Sequence, residues 1–298
     1  MQSTPKAILI NTALFIAAAA VLYIAASPLV AMPLYKRLIF HPHKSSNFQV
    51  PTLTGFESRE CWIEKPDGTK LNAWYIRHPQ AKATVLFSHG SGTDLSERVP
   101  FLEMLLRQKC SVLAYDYGGY GKSTGSYSIE SVSKDGLAAF DYLTDTLKVP
   151  PKSIVLYGES LGGGVTCRVA EKRKASGIVL QSPFYSLEHV AKKTTPILRI
   201  YPRFLFPADC LDNHKTMSEP HPPVLLIHGT SDKQVPFEES QALYESAIPA
   251  CKLVVVPNAD HIALQGVRLP LLEKHLSIFL DSLDKQGEAK TKSMLTEQ

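Results

Sequence analysis

Short apolar runs alternate with segments of helical periodicity along most of this chain, and this alternation constrains the possible folds more than any other feature. The runs cover residues 83–88, 111–115, 153–157, 177–181, 224–227 and 252–256, and each has the length of a buried strand. Leucine and phenylalanine recur between them at helical spacing, as at Leu137, Phe140 and Leu143. We therefore predict an α/β fold: a mostly parallel sheet with helices on both faces, whose ligands bind beyond the carboxyl ends of the strands.

Two further segments complete the predicted architecture. Residues 56–64 and 71–77 flank a Pro-Asp-Gly turn, which predicts an antiparallel hairpin and brings the sheet to about eight strands. The connection over residues 182–223 is too long for a bare loop, so we predict a small helical cap at residues 183–222. The aromatic residues of the cap either line an acyl or aromatic pocket or form its own core; they are Phe184, Tyr185, Tyr201, Phe204 and Phe206.

The N-terminus carries an uncharged apolar stretch. Residues 7–26 contain only two polar side chains and have about the length needed to cross the hydrocarbon core of a bilayer. We interpret residues 1–37 as an uncleaved single-pass membrane anchor; a cleaved signal peptide and a buried core helix are the alternatives. More basic residues follow the stretch than precede it, and the positive-inside rule then predicts a cytoplasmic body. The following basic residues are Lys36, Arg37 and Lys44.

Composition sets the remaining boundaries. Residues 38–55 are rich in Pro, Ser and His and are predicted as a linker, residues 56–284 as the folded domain, and residues 285–298 as a disordered polar tail. The net charge of +4 is small and dispersed, so nucleic acid is not an expected partner. The five cysteines, at positions 61, 110, 167, 210 and 251, lack C-x-x-C spacing and predict free thiols, not disulfides or a zinc site.

Gly158-Glu159-Ser160-Leu161-Gly162 follows a predicted strand and opens a predicted helix. In this context G-x-S-x-G predicts a sharp strand-to-helix turn that exposes the serine hydroxyl. Ser160 is therefore the candidate nucleophile. The amide of Leu161, at the start of the helix, is a candidate donor to a developing oxyanion.

A serine hydroxyl needs a base, and the base needs a partner that holds it in the right tautomer. Asp232 lies in the loop after the predicted strand 224–227, and His261 lies in the loop after 252–256. The chain order of serine, aspartate and histidine is that of an α/β-hydrolase. We predict that His261 acts as general base and that Asp232 orients it.

The second oxyanion donor is expected in the loop after residues 83–88, which reads His89-Gly90-Ser91-Gly92. Small residues let a backbone amide approach a substrate oxygen, and we assign the amide of Ser91.

Four other candidates are weaker on the residues alone. His89 and His228 are interpreted as structural loop histidines, Asp260 as solvent-facing, and Glu159 as a support for the turn.

At these motifs the chain resembles membrane-anchored α/β-hydrolase-domain serine hydrolases of the Bem-type branch, relatives of the serine aminopeptidase and prolyl-oligopeptidase-like hydrolases. The resemblance rests on LFSHGSG, DYGGYGKSTG, LYGESLGGG, LLIHGTSDKQVP and the tetrapeptide NADH that ends in His261. It implies the α/β-hydrolase fold and acyl transfer to water without a metal or organic cofactor. Ser91 stands where many relatives have asparagine; because a backbone amide acts here, this departure bears on substrate preference and not on mechanism.

The resulting hypothesis is a serine hydrolase that cleaves an ester or thioester of a lipid or an acylated protein, through an acyl-enzyme. The expected partners are the lipid bilayer and this acyl substrate. A serine peptidase with the same three residues and a non-catalytic, membrane-tethered interaction protein are the alternatives.

Overall fold

One mixed sheet organises the molecule. The computed structural model describes residues 5–44, 48–208, 211–248, 251–261 and 269–296. The strands are β1 (Glu57–Glu64), β2 (Lys70–Arg77), β3 (Ala83–Ser88), β4 (Cys110–Tyr115), β5 (Ile154–Glu159), β6 (Gly177–Gln181), β7 (Val224–Gly229) and β8 (Cys251–Val256). They form a single sheet in the order β1-β2-β4-β3-β5-β6-β7-β8. The hairpin strands β1 and β2 are antiparallel, and β3 to β8 are parallel, as predicted.

Helices follow the strands in the predicted alternation. They are α1 (Pro5–Ala25), α2 (Met32–Ile39), α3 (Val99–Arg107), α4 (Ile129–Asp141), α5 (Leu161–Ala170), α6 (Leu187–Thr194), α7 (Asn213–Met217), α8 (Glu238–Ser246) and α9 (Leu269–Thr296). Side chains alternate across the sheet, so Val85 of β3 faces one layer and Leu86 the other. Helices α3 and α9 contribute to the first layer, and α4 and α5 to the second. The predicted parallel sheet with helices on both faces is confirmed.

The cap is helical, as predicted. It contains α6, the 3-10 turns Pro196–Ile200 and Arg203–Leu205, and α7. Four buried residues form a small core of its own: Leu198, Tyr201, Leu205 and Phe206. Residues 209–210 of the predicted cap, including Cys210, lie outside the described residues. The other four cysteines are free thiols.

The N-terminal residues differ from the prediction in how they are packed. Within the described part of the chain, α1 holds the one stretch, Ile8–Ala25, that is long and apolar enough to cross a membrane, and none of this stretch is buried against the protein. The predicted linker is partly packed: Phe40 is buried and its ring lies 5.3 Å from that of Tyr127. Phe48 packs edge-on against Trp74 at 5.1 Å. Apolar residues within the linker account for this packing.

The C-terminal residues also differ from the prediction. Helix α9 continues to Thr296, whereas a disordered tail was predicted from residue 285. The stretch has no proline and is rich in Lys, Glu and Gln, which favour helix, so the packed part of α9 can propagate into it. Residues 297–298 lie outside the described residues.

The buried ring of Phe40 provides a test of the packed N-terminal segment. The Phe40→Ala substitution is expected to lower the free energy of unfolding by about 3 kcal/mol, because it leaves a cavity beside Tyr127. Urea unfolding of the detergent-solubilised full chain measures this change. Leu34→Ala is the matched control, since Leu34 is 70% exposed. Equal unfolding midpoints for the two variants would contradict the packed arrangement.

Candidate functional site

The predicted site residues all follow the carboxyl ends of parallel strands. Ser160 comes directly after β5, Asp232 follows β7, and His261 follows β8. In the register of the sheet, Gly158 of β5 pairs with Leu180 of β6, and β6 leads through β7 to β8. The three loops therefore leave the same edge of the sheet, at which open α/β sheets bind their ligands.

Ser160 lies in a strained turn between β5 and α5. Its φ is +52°, a left-handed conformation that costs a serine free energy. Glycine is required at both flanking positions, because backbone atoms of other residues lie too close for a side chain. A Cβ at Gly158 would collide with the carbonyl oxygen of Gly162, and a Cβ at Gly162 would collide with that of Ser88. The Ser160 amide donates to the Gln181 carbonyl at 2.9 Å, which fixes the turn to the end of β6.

Glu159 stabilises this turn from the side. Its carboxylate lies 3.2 Å from the guanidinium of Arg98, and both side chains are buried. Arg98 precedes α3, so the ion pair joins the turn to the segment that follows the Ser91 loop. This contact agrees with the supporting role expected for Glu159.

Asp232 and His261 are hydrogen-bonded. The Nδ1 atom of His261 lies 2.6 Å from Oδ2 of Asp232, although 29 positions separate the two residues. The other carboxylate oxygen, Oδ1, accepts from the amides of Gln234 and Val235, each at 2.9 Å. Because an ionised carboxylate only accepts, Nδ1 of His261 carries the hydrogen and Nε2 remains an acceptor. A general base needs this tautomer.

His228 makes a second contact with the same carboxylate, which the sequence analysis missed. Its Nε2 lies 2.9 Å from the Val235 carbonyl and 3.2 Å from Oδ2 of Asp232. Both partners are acceptors, so Nε2 carries the hydrogen, and Nδ1 accepts from the Ser240 hydroxyl at 2.6 Å. With both ring nitrogens engaged and the side chain fully buried, His228 positions Asp232. The sequence feature that could have indicated this contact is the i, i+4 spacing of His228 and Asp232.

These contacts decide the charge of Asp232. Burial alone raises the pKa of Asp232, but hydrogen bonds from the two histidines and from a backbone amide outweigh it and hold the pKa well below its usual range. The carboxylate is therefore ionised at neutral pH and can stabilise an imidazolium at His261.

The loop that carries Ser91 is held by buried side chains. Tyr117 donates to the carbonyl of His89 at 2.8 Å, and Tyr120 donates to the carbonyl of Ser91 at 3.0 Å. The ring of His89 donates from Nδ1 to the Gly90 carbonyl at 2.7 Å. Burial, assisted by the charge of Arg98, lowers the pKa of His89 to about 3, so this residue is a neutral part of the loop.

A cavity of about 340 Å³ opens at this edge of the sheet. Ser160, Ser91 and Leu161 all line it, so the predicted nucleophile and both predicted oxyanion donors face one space. The remaining walls are mostly apolar and come largely from the cap and from α2. Of the cap aromatics, Phe184 and Phe206 line the cavity, Tyr185 and Tyr201 pack within the protein, and Phe204 is exposed.

Sequence analysis missed the contribution of α2 to this cavity. Met32, Tyr35 and Leu38 line it, although their segment was predicted as anchor and linker. Among the residues that the structure describes, no group of three or more His, Cys, Asp or Glu side chains is placed to hold a metal ion.

A sheet of this order, with a serine turn after β5 and an acidic residue and a histidine after β7 and β8, defines the class of α/β-hydrolases. A sequence model of the family described as "Serine aminopeptidase, S33" matches residues 79–208. The uncharacterised protein Rv2307c of Mycobacterium tuberculosis is 34% identical over 230 residues, which are 76% of this chain and 80% of that protein. The alpha/beta hydrolase domain-containing protein 17C of Xenopus tropicalis is 33% identical over 214 residues, 70% of this chain and 67% of that protein. The chain belongs to the α/β-hydrolase family.

Solved structures give the same answer for the fold. The esterase Pf2001 of Pyrococcus furiosus matches with a TM-score of 0.67 and 25% identity, over 82% of this chain and 98% of that chain. Est1E of Butyrivibrio proteoclasticus, solved with ferulic acid bound, matches with a TM-score of 0.62 and 22% identity, over 76% and 99% of the two chains. Together, the family match and the esterase Pf2001 support an esterase-like function. The Bem-type branch stays a prediction.

The ionised state of Asp232 leads to a pH-dependent prediction. A pKa held below the ordinary value of 3.8 stabilises the folded state above about pH 4, and this stabilisation is lost as the pH falls further. Asp232→Asn is therefore expected to lower the urea midpoint at neutral pH, and the difference from wild type is expected to shrink below about pH 4. Glu219→Gln, at an exposed carboxylate, is the control. A deficit for Asp232→Asn that does not depend on pH would argue against a stabilising ionised carboxylate.

Proposed function

We propose that this chain is a membrane-anchored serine hydrolase that cleaves an ester or thioester of a lipid or an acylated protein. Ser160 is the nucleophile, His261 the general base, and Asp232 the residue that orients His261. The observation that carries the proposal is the 2.6 Å bond between Asp232 and His261 at the same sheet edge as the strained Ser160 turn. Helix α1 is the proposed single-pass anchor, and the body is proposed to be cytoplasmic.

The reaction has two halves. In the first, Ser160 Oγ attacks the acyl carbon while Nε2 of His261 takes the hydroxyl proton, and the tetrahedral oxyanion receives hydrogen bonds from the amides of Ser91 and Leu161. Collapse of this intermediate breaks the ester or thioester bond, and the imidazolium returns the proton to the departing alcohol or thiol. In the second half, water attacks the acyl-serine with His261 again as base, which releases the acid and restores Ser160.

The lining of the cavity favours an acyl substrate over a peptide. An aminopeptidase needs an acceptor for the substrate's terminal ammonium. Among the described residues that line the cavity, Glu188 is the carboxylate, and it is already paired with Lys192 at 2.7 Å and Arg203 at 2.8 Å. Apolar side chains from the cap and α2 suit an acyl chain instead.

The nucleophile is tested by covalent labelling. Ser160→Ala is expected to abolish labelling of the full chain by a fluorophosphonate probe, because the probe bonds only to an activated serine oxygen. Ser91→Ala is the control and keeps its labelling. A Ser160→Ala protein that still labels would contradict the assignment, and a wild-type protein that never labels would favour the non-catalytic, membrane-tethered alternative.

The oxyanion assignment depends on a backbone N–H and not on a side chain. Ser91→Ala keeps the amide and is expected to retain turnover within about threefold, whereas Ser91→Pro removes it and is expected to lower kcat by about a hundredfold. Thermal unfolding of both variants checks that the proline has not disrupted the loop. Equal kcat values for two folded variants would move the second donor elsewhere.

Substrate class is decided by paired chromogenic substrates. Full-length protein is expected to hydrolyse p-nitrophenyl acyl esters and acyl thioesters and to leave aminoacyl p-nitroanilides intact, because the cavity has no unpaired carboxylate among its described residues. Ser160→Ala is the blank for each substrate. Faster cleavage of the anilides would establish the aminopeptidase alternative.

A further inference from the structure

The wall of the acyl cavity comes partly from the segment that follows the apolar helix α1. Six residues of this segment line the cavity: Pro28, Met32, Tyr35, Leu38, Ile39 and His41. Cap residues such as Leu198 and Phe206 contribute another part of the lining. Since Ser160 lines the same cavity, the segment joining α1 to the body is part of the site and not a spacer beside it.

Hydrogen bonds fix this segment to both the cap and the oxyanion loop. The Leu29 amide donates to the Leu205 carbonyl of the cap at 2.8 Å. At the other end, the His41 amide donates to the Ser91 carbonyl at 3.0 Å, in the loop assigned to the oxyanion hole. The end of α1 is therefore held at a defined distance from the chemistry.

Helix α1 itself contacts the cap near its C-terminal end. The rings of Tyr23 and Tyr201 stack with centroids 4.8 Å apart, and the Tyr23 hydroxyl donates to the Ile200 carbonyl at 2.6 Å. Tyrosines are enriched where a membrane helix leaves the hydrocarbon for the headgroups. The turns of the cap thus lie at the level at which α1 would leave a bilayer.

Exposed apolar side chains surround this junction. We call them the apolar rim: Leu29, Val30, Leu34, Leu38, Ile197, Ile200 and Phe204. Leu34 and Leu38 lie one turn apart on α2, and Phe204 is 75% exposed. The Leu29 amide is hydrogen-bonded to Leu205, the residue after Phe204, and the Tyr23 hydroxyl is hydrogen-bonded to the Ile200 carbonyl. The rim is therefore continuous with the exposed apolar surface of α1. A contiguous apolar surface of this kind marks an interaction site.

Basic side chains lie between the rim residues in sequence. Arg37 is exposed between Leu34 and Leu38, and Arg199 is exposed beside Ile200. Apolar side chains mixed with basic ones suit an interface whose interior is hydrocarbon and whose headgroups include anionic lipids.

We propose that the apolar rim lies in the surface of the bilayer that holds α1, and that the cavity takes the acyl chain of its substrate directly from that bilayer. The inference rests on the proposed function and narrows its substrate class to esters or thioesters whose acyl chain is inserted in the membrane. Leu38 belongs to both the rim and the cavity lining, so an acyl chain leaving the bilayer meets the cavity without crossing water.

Contact with the bilayer is measured without reference to catalysis. Full-length protein carrying Phe204→Trp is reconstituted in phosphatidylcholine vesicles with lipid brominated near the headgroup end of its acyl chains. The fluorescence of the introduced tryptophan is measured as the increase over the signal of Trp62 and Trp74. It is expected to be quenched by about half or more. Ile278→Trp, at an exposed position on α9, is the control and should remain unquenched. Equal quenching at the two positions, or none at either, overturns the proposed contact.

Loading from the bilayer is measured by comparing two esters. The double variant Ile200→Glu, Phe204→Glu is expected to hydrolyse 4-methylumbelliferyl palmitate in vesicles about tenfold more slowly than wild type. Its rate with soluble p-nitrophenyl acetate is expected to stay within about twofold of the wild-type rate. Neither residue lines the cavity, and Ile278→Glu is the control. Unchanged palmitate hydrolysis overturns loading through the rim. If wild-type protein cleaves neither ester while the Phe204→Trp variant is quenched, the proposed function is overturned and the membrane contact is supported.

Discussion

The turn between β5 and α5 is possible only because two side chains are absent. Gly162 packs against the carbonyl of Ser88 and Gly158 packs against the carbonyl of Gly162, so any Cβ at either position would push α5 away from the sheet. The left-handed backbone of Ser160 stores strain that the surrounding contacts must maintain. Because α5 begins at Leu161, the same turn sets the positions of the serine hydroxyl and of the first helical amides together. The cavity and its cap are arranged around this one fixed point.

A buried carboxylate organises the opposite side of the site. Asp232 loses hydration on burial, and four donors replace it: two backbone amides on Oδ1 and two imidazoles on Oδ2. His228 lies within β7, so its hydrogen bond to Asp232 fixes the loop to the sheet. The bond from His261 does not have this effect. An aspartate held on both sides can orient His261 without moving when charge develops on the imidazole.

The sequence predicted the elements that depend on neighbouring residues alone, such as single strands and tight turns. The strand Ala83–Ser88 was predicted at its observed bounds because six consecutive buried residues leave little choice, and the Ser160 turn follows from glycines at fixed spacing. Residues 38–55 were harder, because Pro, Ser and His suggest a linker and nothing local shows that Phe40 and Phe48 find buried partners. The bond from His228 to Asp232 and the wall formed by α2 likewise depend on contacts that close only in three dimensions.

The proposed reacting groups and the cavity walls have different origins in the fold. Ser160, Asp232 and His261 leave one edge of a rigid parallel sheet, an arrangement available to any α/β-hydrolase. The walls come largely from α2 and the cap. The segment between α1 and α2 is bonded to the cap through Leu29 and Leu205, and the outer surface of these elements continues into α1. The hydrogen bond from the His41 amide to the Ser91 carbonyl joins the two systems. A displacement of α2 would therefore reach the loop that carries Ser91 through this backbone contact, while the pair of Asp232 and His261 stays fixed by the sheet.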